Sequence, residues 1–322
     1  MMQQVKEPLV SIIIPTYNSP KTLRQCLISI LASNFPLDNF EVIVVDHGLK
    51  EHTKKVVKGF PVKYIPQKDP GLASARNNGI LASKGSIIVF VDDDVSVPSN
   101  WLKKIKKAFD QDKELSCIGG LDIHFNTDSY FGKCIRIQEN FFKQHFFILK
   151  DKNLKLKGCN MAFRSEVFTE IGLFETKRIY YHREDANFIS RIKKANKKIK
   201  YDDTLYLYHH TPNLRKFINT HIIGHKESHE TYGKTYFIHY LAFIALSLAI
   251  ITLFIFPFII YPLIFIIIFG IFYFCIVICI KMNEGIEYTP GIFIILIITL
   301  FFIYTKAIYS IFHKNIKIGG FK

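Results

Sequence analysis

Along the first hundred residues, short continuous apolar runs alternate with stretches whose apolar residues recur at helical spacing. Leu9-Val-Ser-Ile-Ile-Ile14 is rich in branched side chains, the pattern of a strand buried on both faces and hence parallel. Ser19 and Pro20 follow as an N-cap and a first helical position. Leu23, Leu27, Ile30 and Leu31 then fall on one helical face. Val42-Ile-Val-Val45 predicts a second strand and Val62-Lys-Tyr-Ile65 a third. Gly71 to Ser83 reads as a loop entering a helix that Gly85 closes, before a further strand at Ile87-Ile-Val-Phe-Val91. Strands alternating with helices predict an α/β domain, a doubly wound and mostly parallel sheet flanked by helices. Ligands in such sheets sit beyond the carboxyl ends of the strands. Here those positions hold Pro15-Thr-Tyr-Asn18, Asp46-His-Gly48 and Asp92-Asp-Asp94.

The pattern changes near residue 232. From Thr235 to Ile280 no Asp, Glu, Lys or Arg interrupts 46 consecutive residues. At about 1.5 Å per residue that is roughly 69 Å of helix, against about 30 Å for one bilayer core. The run reads as two spans, with Pro257 and Pro262 where a hairpin would turn. A third apolar segment starts at Gly291 and is interrupted by Lys306. It either spans with that lysine snorkelling or lies at the interface. The expected organisation is a cytosolic domain over 1–232 and an α-helical membrane region over 233–322, a multi-pass placement. Its two to three helices fall at about 237–256, 259–280 and 291–312. The start, MMQQVKEPLV, lacks the basic flank and apolar core of a secretory signal.

Composition narrows the classes. The 322 residues are 49% hydrophobic and 15% aromatic, which excludes a disordered or collagen-like chain. Lys and Arg number 42 against 27 Asp and Glu, a net charge of +15, so a polyanionic partner is expected: nucleic acid, anionic lipid or a phosphorylated ligand. No recognition motif for nucleic acid accompanies the charge, which argues against that partner. Lys103, Lys104, Lys106 and Lys107 crowd one predicted helix, and Lys193, Lys194, Lys197, Lys198 and Lys200 a second. They read as solvated faces or as contacts to membrane lipids. Cysteines at 26, 117, 134, 159, 275 and 279 form no CxxC pair, against a zinc ribbon or disulfide scaffold.

The acidic positions carry the chemistry. Three adjacent carboxylates repel one another unless a cation sits among them. Alternate residues of an extended segment point the same way, so Asp92 and Asp94 share one side and Asp93 faces away. Oxygen ligation favours Mg²⁺ or Mn²⁺ bridging to substrate phosphates. Asp46 ends a strand and reads as a turn residue or as an acceptor for a base edge. Arg76, near a predicted helix start, reads as a surface residue or a phosphate clamp. Glu184 and Asp185 precede a helical pattern, as caps or as a general base.

Taken in order, SIIIPTYN at 11–18, VVDHG at 44–48, GLASARNNG at 71–79, VDDD at 91–94, GCNMAFR at 158–164 and RED at 183–185 resemble a family 2 glycosyltransferase of the GT-A fold over about residues 9 to 230. The resemblance implies a nucleotide-diphosphate-sugar donor, UDP-linked by expectation. It implies that Pro15, Tyr17, Asp46, Arg76, Asp92 and Asp93 bind that donor, with Asp46 meeting the base directly. Asp92 and Asp94 match a DxD motif that holds Mn²⁺ or Mg²⁺, joined by His209 or its neighbour His210. Asp185 matches the general base that deprotonates an acceptor hydroxyl, with Asn160, Arg164 and Glu184 on the acceptor side. His47 stands where relatives carry a second acid, and no Gln-x-x-Arg-Trp motif appears. That absence argues for transfer of a single sugar to a lipid-linked or cell-surface glycan. Transfer to a polyprenyl phosphate is the alternative, because an ionised phosphate needs no base. A non-catalytic scaffold that binds nucleotide sugars is the third reading.

Overall fold

The computed structural model describes residues 9–48, 51–69, 71–125, 129–145, 156–176, 184–219 and 257–299. The chain divides into two compact units, residues 1–126 with 143–210, and residues 127–142 with 211–322.

In the first unit, β1 (Val10–Thr16) is wholly buried. It is followed by α1 (Pro20–Leu31), β2 (Phe40–Asp46), α2 (Glu51–Val57), β3 (Lys63–Pro66), α3 (Leu72–Ala82) and β4 (Ile87–Phe90). Ser19 precedes α1 without a side-chain cap, and Pro20 opens the helix with its φ already set. Strands β1 to β4 are mutually parallel where they pair. The order 3-2-1-4 carries their carboxyl ends, Thr16, Asp46 and Phe90, to one edge.

The second half of the unit makes the sheet mixed rather than mostly parallel. It contains β5 (Val95–Ser96), α4 (Trp101–Gln111), β6 (Leu115–Phe125), β7 (Met161–Arg164), α6 (Glu166–Glu170), α7 (Glu184–Lys194) and β8 (Lys198–His210). The helix α5 (Tyr130–His145) lies between β6 and β7 in sequence. The eight strands run in the order β3-β2-β1-β4-β7-β6-β8-β5. β7 is antiparallel to both β4 and β6, and β5 to β8. Two apolar clusters cover the two faces. One is built on Ile12, Ile14, Leu27, Val44 and Trp101, the other on Ile13, Ile43, Phe90, Phe163 and Phe188.

Many of the lysines predicted to form basic patches are engaged. Lys104 Nζ donates to the carbonyl of Thr204 at 2.6 Å, Lys106 pairs with Asp110, and Lys197 with Glu170. Lys198 lies 2.8 Å from Asp112 and Lys200 lies 3.3 Å from Asp202.

In the second unit, α8 (Pro257–Lys281) is one helix that begins at Pro257, so the hairpin expected at Pro257 and Pro262 is not formed. Cys275, Ile278 and Cys279 pack against Cys134, Ile135 and Phe141 of α5 and against Ile292, Ile295 and Leu296. Phe265, Phe269 and Tyr273 are exposed. No helix among the described residues is long and apolar enough to cross a membrane. The expected multi-pass membrane placement is corrected accordingly. The segment expected at 237–256 lies outside the described residues, and 291–312 is helical as far as residue 299.

Close approach of β6 and β8 is set by Gly120. It sits at a register shift between the strands, and a Cβ there would fall on the Leu205 carbonyl. Backbone cannot give way as a side-chain end can. Gly120→Ala is expected to destabilise by about 1–3 kcal/mol, read as a lower urea midpoint at unchanged slope. An unchanged midpoint would mean that the strands part freely here.

Candidate active site

The carboxyl end of β1 is tied to that of β4. Asp93 Oδ2 accepts from Thr16 Oγ1 at 2.5 Å and from the Tyr17 backbone N–H at 3.4 Å. Asp93 thus faces β1, away from Asp92 and Asp94. Burial pushes its carboxyl up to about 7, Thr16 and Ser19 opposing this and Asp94 and Asp92 adding to it.

At the end of β2, Asp46 is fully buried. Its Oδ1 accepts from the Gly48 N–H at 2.8 Å and its Oδ2 from the Tyr64 hydroxyl at 2.9 Å. A buried carboxylate needs such donors. The Tyr64 phenol is in turn pushed up to about 12, by burial and by its bond to Asp46. The direct base contact expected of Asp46 thus concerns a carboxylate that is enclosed in the turn it shapes. Pro15 is likewise buried within β1. What this corner exposes is Tyr17, 61% accessible and stacked on His47 with ring centroids 5.4 Å apart.

Arg76, on α3, is 1% exposed and is neither a surface residue nor an open phosphate clamp. It pairs with Glu184, stands 3.7 Å from Asp92 and lies over the rings of Phe90 and Phe174. A Cβ at Gly158 would overlap its guanidinium, so a side chain there would displace Arg76 from this position. Glu184, expected on the acceptor side, is 2% exposed and paired with Arg76. Burial pushes its carboxyl up to about 7 against the pull of Arg76. Asp92 is raised by burial, opposed by Arg76 and reinforced by Asp94.

Asp185 opens α7. Its Oδ2 accepts from the Gly158 N–H at 2.9 Å and its Oδ1 from the Ala186 N–H at 2.7 Å. These bonds fix the carboxylate beside the Gly158 loop.

β8 completes the cluster from the other end of the sequence. Val95 of β5 pairs with His209, and the His210 N–H donates to the Asp94 carbonyl at 2.8 Å. His209 Nε2 therefore lies 2.9 Å from Asp94 Oδ1. Burial lowers the affinity of this imidazole for a proton, but the carboxylates of Asp122 and Asp94 outweigh it and hold its pKa well above the usual histidine range. One ligand atom each from Asp92, Asp94 and His209 can be found within 4.8 Å of the others. Two crowded carboxylates and an imidazole, with Asp92 raised by burial, fit a divalent cation.

Two expected acceptor-side residues are not brought to this cluster as side chains. Asn160 is buried. Its Oδ1 accepts from Trp101 Nε1 at 3.1 Å, and its Nδ2 donates to the carbonyls of Leu121 and Leu205. Arg164 pairs with Ile87 at the amino end of β4, the opposite edge of the sheet. It donates to the carbonyls of Leu115, Phe109 and Asp112. Both are frame residues. The sequence reading missed Asp122 and Cys159, which lie against His209. Asp122 and His124 at alternate positions of an otherwise apolar strand were the available signal.

A sequence model of the family described as "Glycosyl transferase family 2" matches residues 11–172. Glycosyltransferase AglE of Haloferax volcanii is 36% identical over 173 residues, 52% of this chain and 56% of that one. The glycosyltransferase RP339 of Rickettsia prowazekii is 30% identical over 196 residues, 58% of this chain and 60% of that one. The chain thus spans little more than half the length of these curated relatives. Among solved structures, the mannosyltransferase PcManGT of Pyrobaculum calidifontis, in complex with GDP-Man and Mn²⁺, superposes with a TM-score of 0.53 at 19% identity. That match covers 69% of this chain and 62% of that one, and it identifies the fold as GT-A-like.

Asp93 makes the electrostatics testable. Its folded pKa, about 7, exceeds its ordinary value of 3.8, so between these values the folded chain holds a proton that the unfolded chain has lost. Stability then falls as pH rises through that window. In metal-free protein, wild type is expected to lose stability relative to Asp93→Asn from about pH 4 to about pH 7, measured by urea unfolding at each pH. A pH-independent difference would show that the carboxyl ionises normally.

Proposed function

This chain belongs to glycosyl transferase family 2, and we propose that it transfers a single sugar from a nucleoside-diphosphate sugar, with UDP as the first nucleotide to test, to a hydroxyl of a lipid-linked or cell-surface glycan, inverting the anomeric centre. The observation that carries this reading is the meeting of Asp92, Asp94 and His209 at the carboxyl edge of the sheet, with buried Arg76 standing between Asp92 and the Glu184–Asp185 pair. Catalysis is assigned to the 1–232 region.

Each residue has a role in this reading. Tyr17 and His47 offer a stacked aromatic face on which a base can lie. Asp92, Asp94 and His209 are the residues to hold Mn²⁺ or Mg²⁺, and when bound that cation supplies positive charge against the leaving diphosphate. The imidazole in this donor set suits Mn²⁺ better than Mg²⁺, and PcManGT was solved with Mn²⁺ and GDP-Man. Asp185 takes the proton of the acceptor hydroxyl as its oxygen attacks the anomeric carbon. The bond from that carbon to the diphosphate oxygen breaks as the new glycosidic bond forms, and the nucleoside diphosphate leaves. Arg76 keeps Asp92 and Glu184 in place beneath the donor without touching it.

The test is nucleotide release by the full chain with Mn²⁺ across a panel of UDP- and GDP-sugars. One donor is expected to give release, and Asp92→Ala/Asp94→Ala to lower it by about 10²-fold or more. Asp185→Asn is expected to slow sugar transfer about 10²–10⁴-fold with donor affinity unchanged. Full transfer by Asp185→Asn would identify an already ionised phosphate, such as a polyprenyl phosphate, as the acceptor. Donor binding that is insensitive to Asp92 and Asp94, with no turnover, would move the reading to a scaffold.

A further inference from the structure

Asp122 and Cys159 take no part in the chemistry above, yet both are buried, 5% and 4% exposed. They belong to three neighbouring strand positions. Cys159 precedes β7, Asp122 lies on β6 and His209 is the penultimate residue of β8, and the sheet order β7-β6-β8 sets the three side by side. The register fixes the approach. His124 pairs with His209, and their rings stack with centroids 5.3 Å apart. Asp122 is two residues before His124 and so shares its face, and its Oδ2 lies 3.8 Å from His209 Nδ1. The other ring nitrogen, Nε2, is already turned to Asp94. Nδ1 is buried and makes no hydrogen bond of ordinary length. One ligand atom from each of Asp122, Cys159 and His209 lies within 4.8 Å of the other two.

We propose that Asp122, Cys159 and Nδ1 of His209 form a second cation site, separate from the Asp92–Asp94 pair, which takes Zn²⁺ or another thiophilic divalent ion. Sulfur, imidazole and carboxylate together are a zinc donor set, and a poor one for Mg²⁺. The charges also balance. A thiolate and a carboxylate neutralise a dication, so the loaded site is electrically neutral in a buried place. Loading forms the metal–sulfur and metal–Nδ1 bonds and releases the Cys159 proton and the Nδ1 proton of the His209 imidazolium to solvent. Lys157, 3.2 Å from Asp122 and half-exposed, can turn outward into solvent.

The two cation positions share one imidazole. A neutral imidazole has a single lone pair for a metal. When Nδ1 is the ligand, Nε2 carries the proton and faces Asp94 as a donor, so His209 is withdrawn from the Asp92–Asp94 position. Thiophilic ions therefore act as inhibitors from this second site. That consequence rests on the catalytic reading of His209, whereas the binding itself does not.

The test is titration of the metal-free full chain with Co²⁺, a spectroscopic stand-in for Zn²⁺. A near-ultraviolet thiolate-to-cobalt charge-transfer band is expected, removed by added Zn²⁺. Its intensity should fall about tenfold or more in Cys159→Ser and in Asp122→Asn and persist in Asp92→Ala/Asp94→Ala. Each variant is compared at an unfolding midpoint matched to wild type, and Cys159→Ala replaces Cys159→Ser if the latter does not fold. Absence of the band in wild type, or its persistence without Cys159, would overturn the site. Loss of the band in Asp92→Ala/Asp94→Ala with retention in Asp122→Asn would also overturn it, by assigning the ion to the first position. Because the band is read without substrate, its failure leaves the transferase reading intact, and failed nucleotide release leaves this site intact.

Discussion

A guanidinium cannot be buried alone, and the arrangement of this site follows from that constraint. Arg76 is held in the interior among Phe90, Phe174 and the backbone of Gly158. The unfavourable transfer of its charge is offset by Glu184 and Asp92. Those two carboxylates come from distant parts of the chain, one ending the first half of the sheet and one opening α7. Pairing both with one cation draws α7, and with it Asp185, to the edge where β4 ends.

The pairing leaves the site with an excess of negative charge. Asp92, Asp93 and Asp94 leave β4 in succession, and Asp93 alone is fully occupied with β1. Burial raises Asp92 and Asp93, the response of carboxylates that lack a sufficient counter-charge. The raised pKa of His209 offsets part of that charge.

β8 is the element on which two proposals turn. Its parallel pairing with β6 and its short antiparallel pairing with β5 bring His209 between two sets of ligands, one on each ring nitrogen. The glycine at 120 permits that approach. One strand therefore turns one ring nitrogen of His209 to Asp94 and the opposite nitrogen toward Asp122.

Much of this was legible in the chain. Branched apolar runs with no polar alternation can be stable only between two layers, so β1, β2 and β4 and their carboxyl-end acids were readable from local pattern. The six ordered motifs pointed to the family. What local pattern could not decide was the partner of each polar group. Arg76 and Glu184 are 108 positions apart. Asn160 and Arg164 look like site residues in sequence but bind backbone carbonyls. The apolar stretch near the carboxyl terminus reads as membrane-spanning, whereas no helix among the described residues is long and apolar enough to cross a membrane. The sequence by itself determined which segments must be buried and which residues carry chemistry, because periodicity and residue type act locally. Only the tertiary structure decided which charges meet, since pairing depends on strand order and register, and these are set by contacts between residues far apart in the chain.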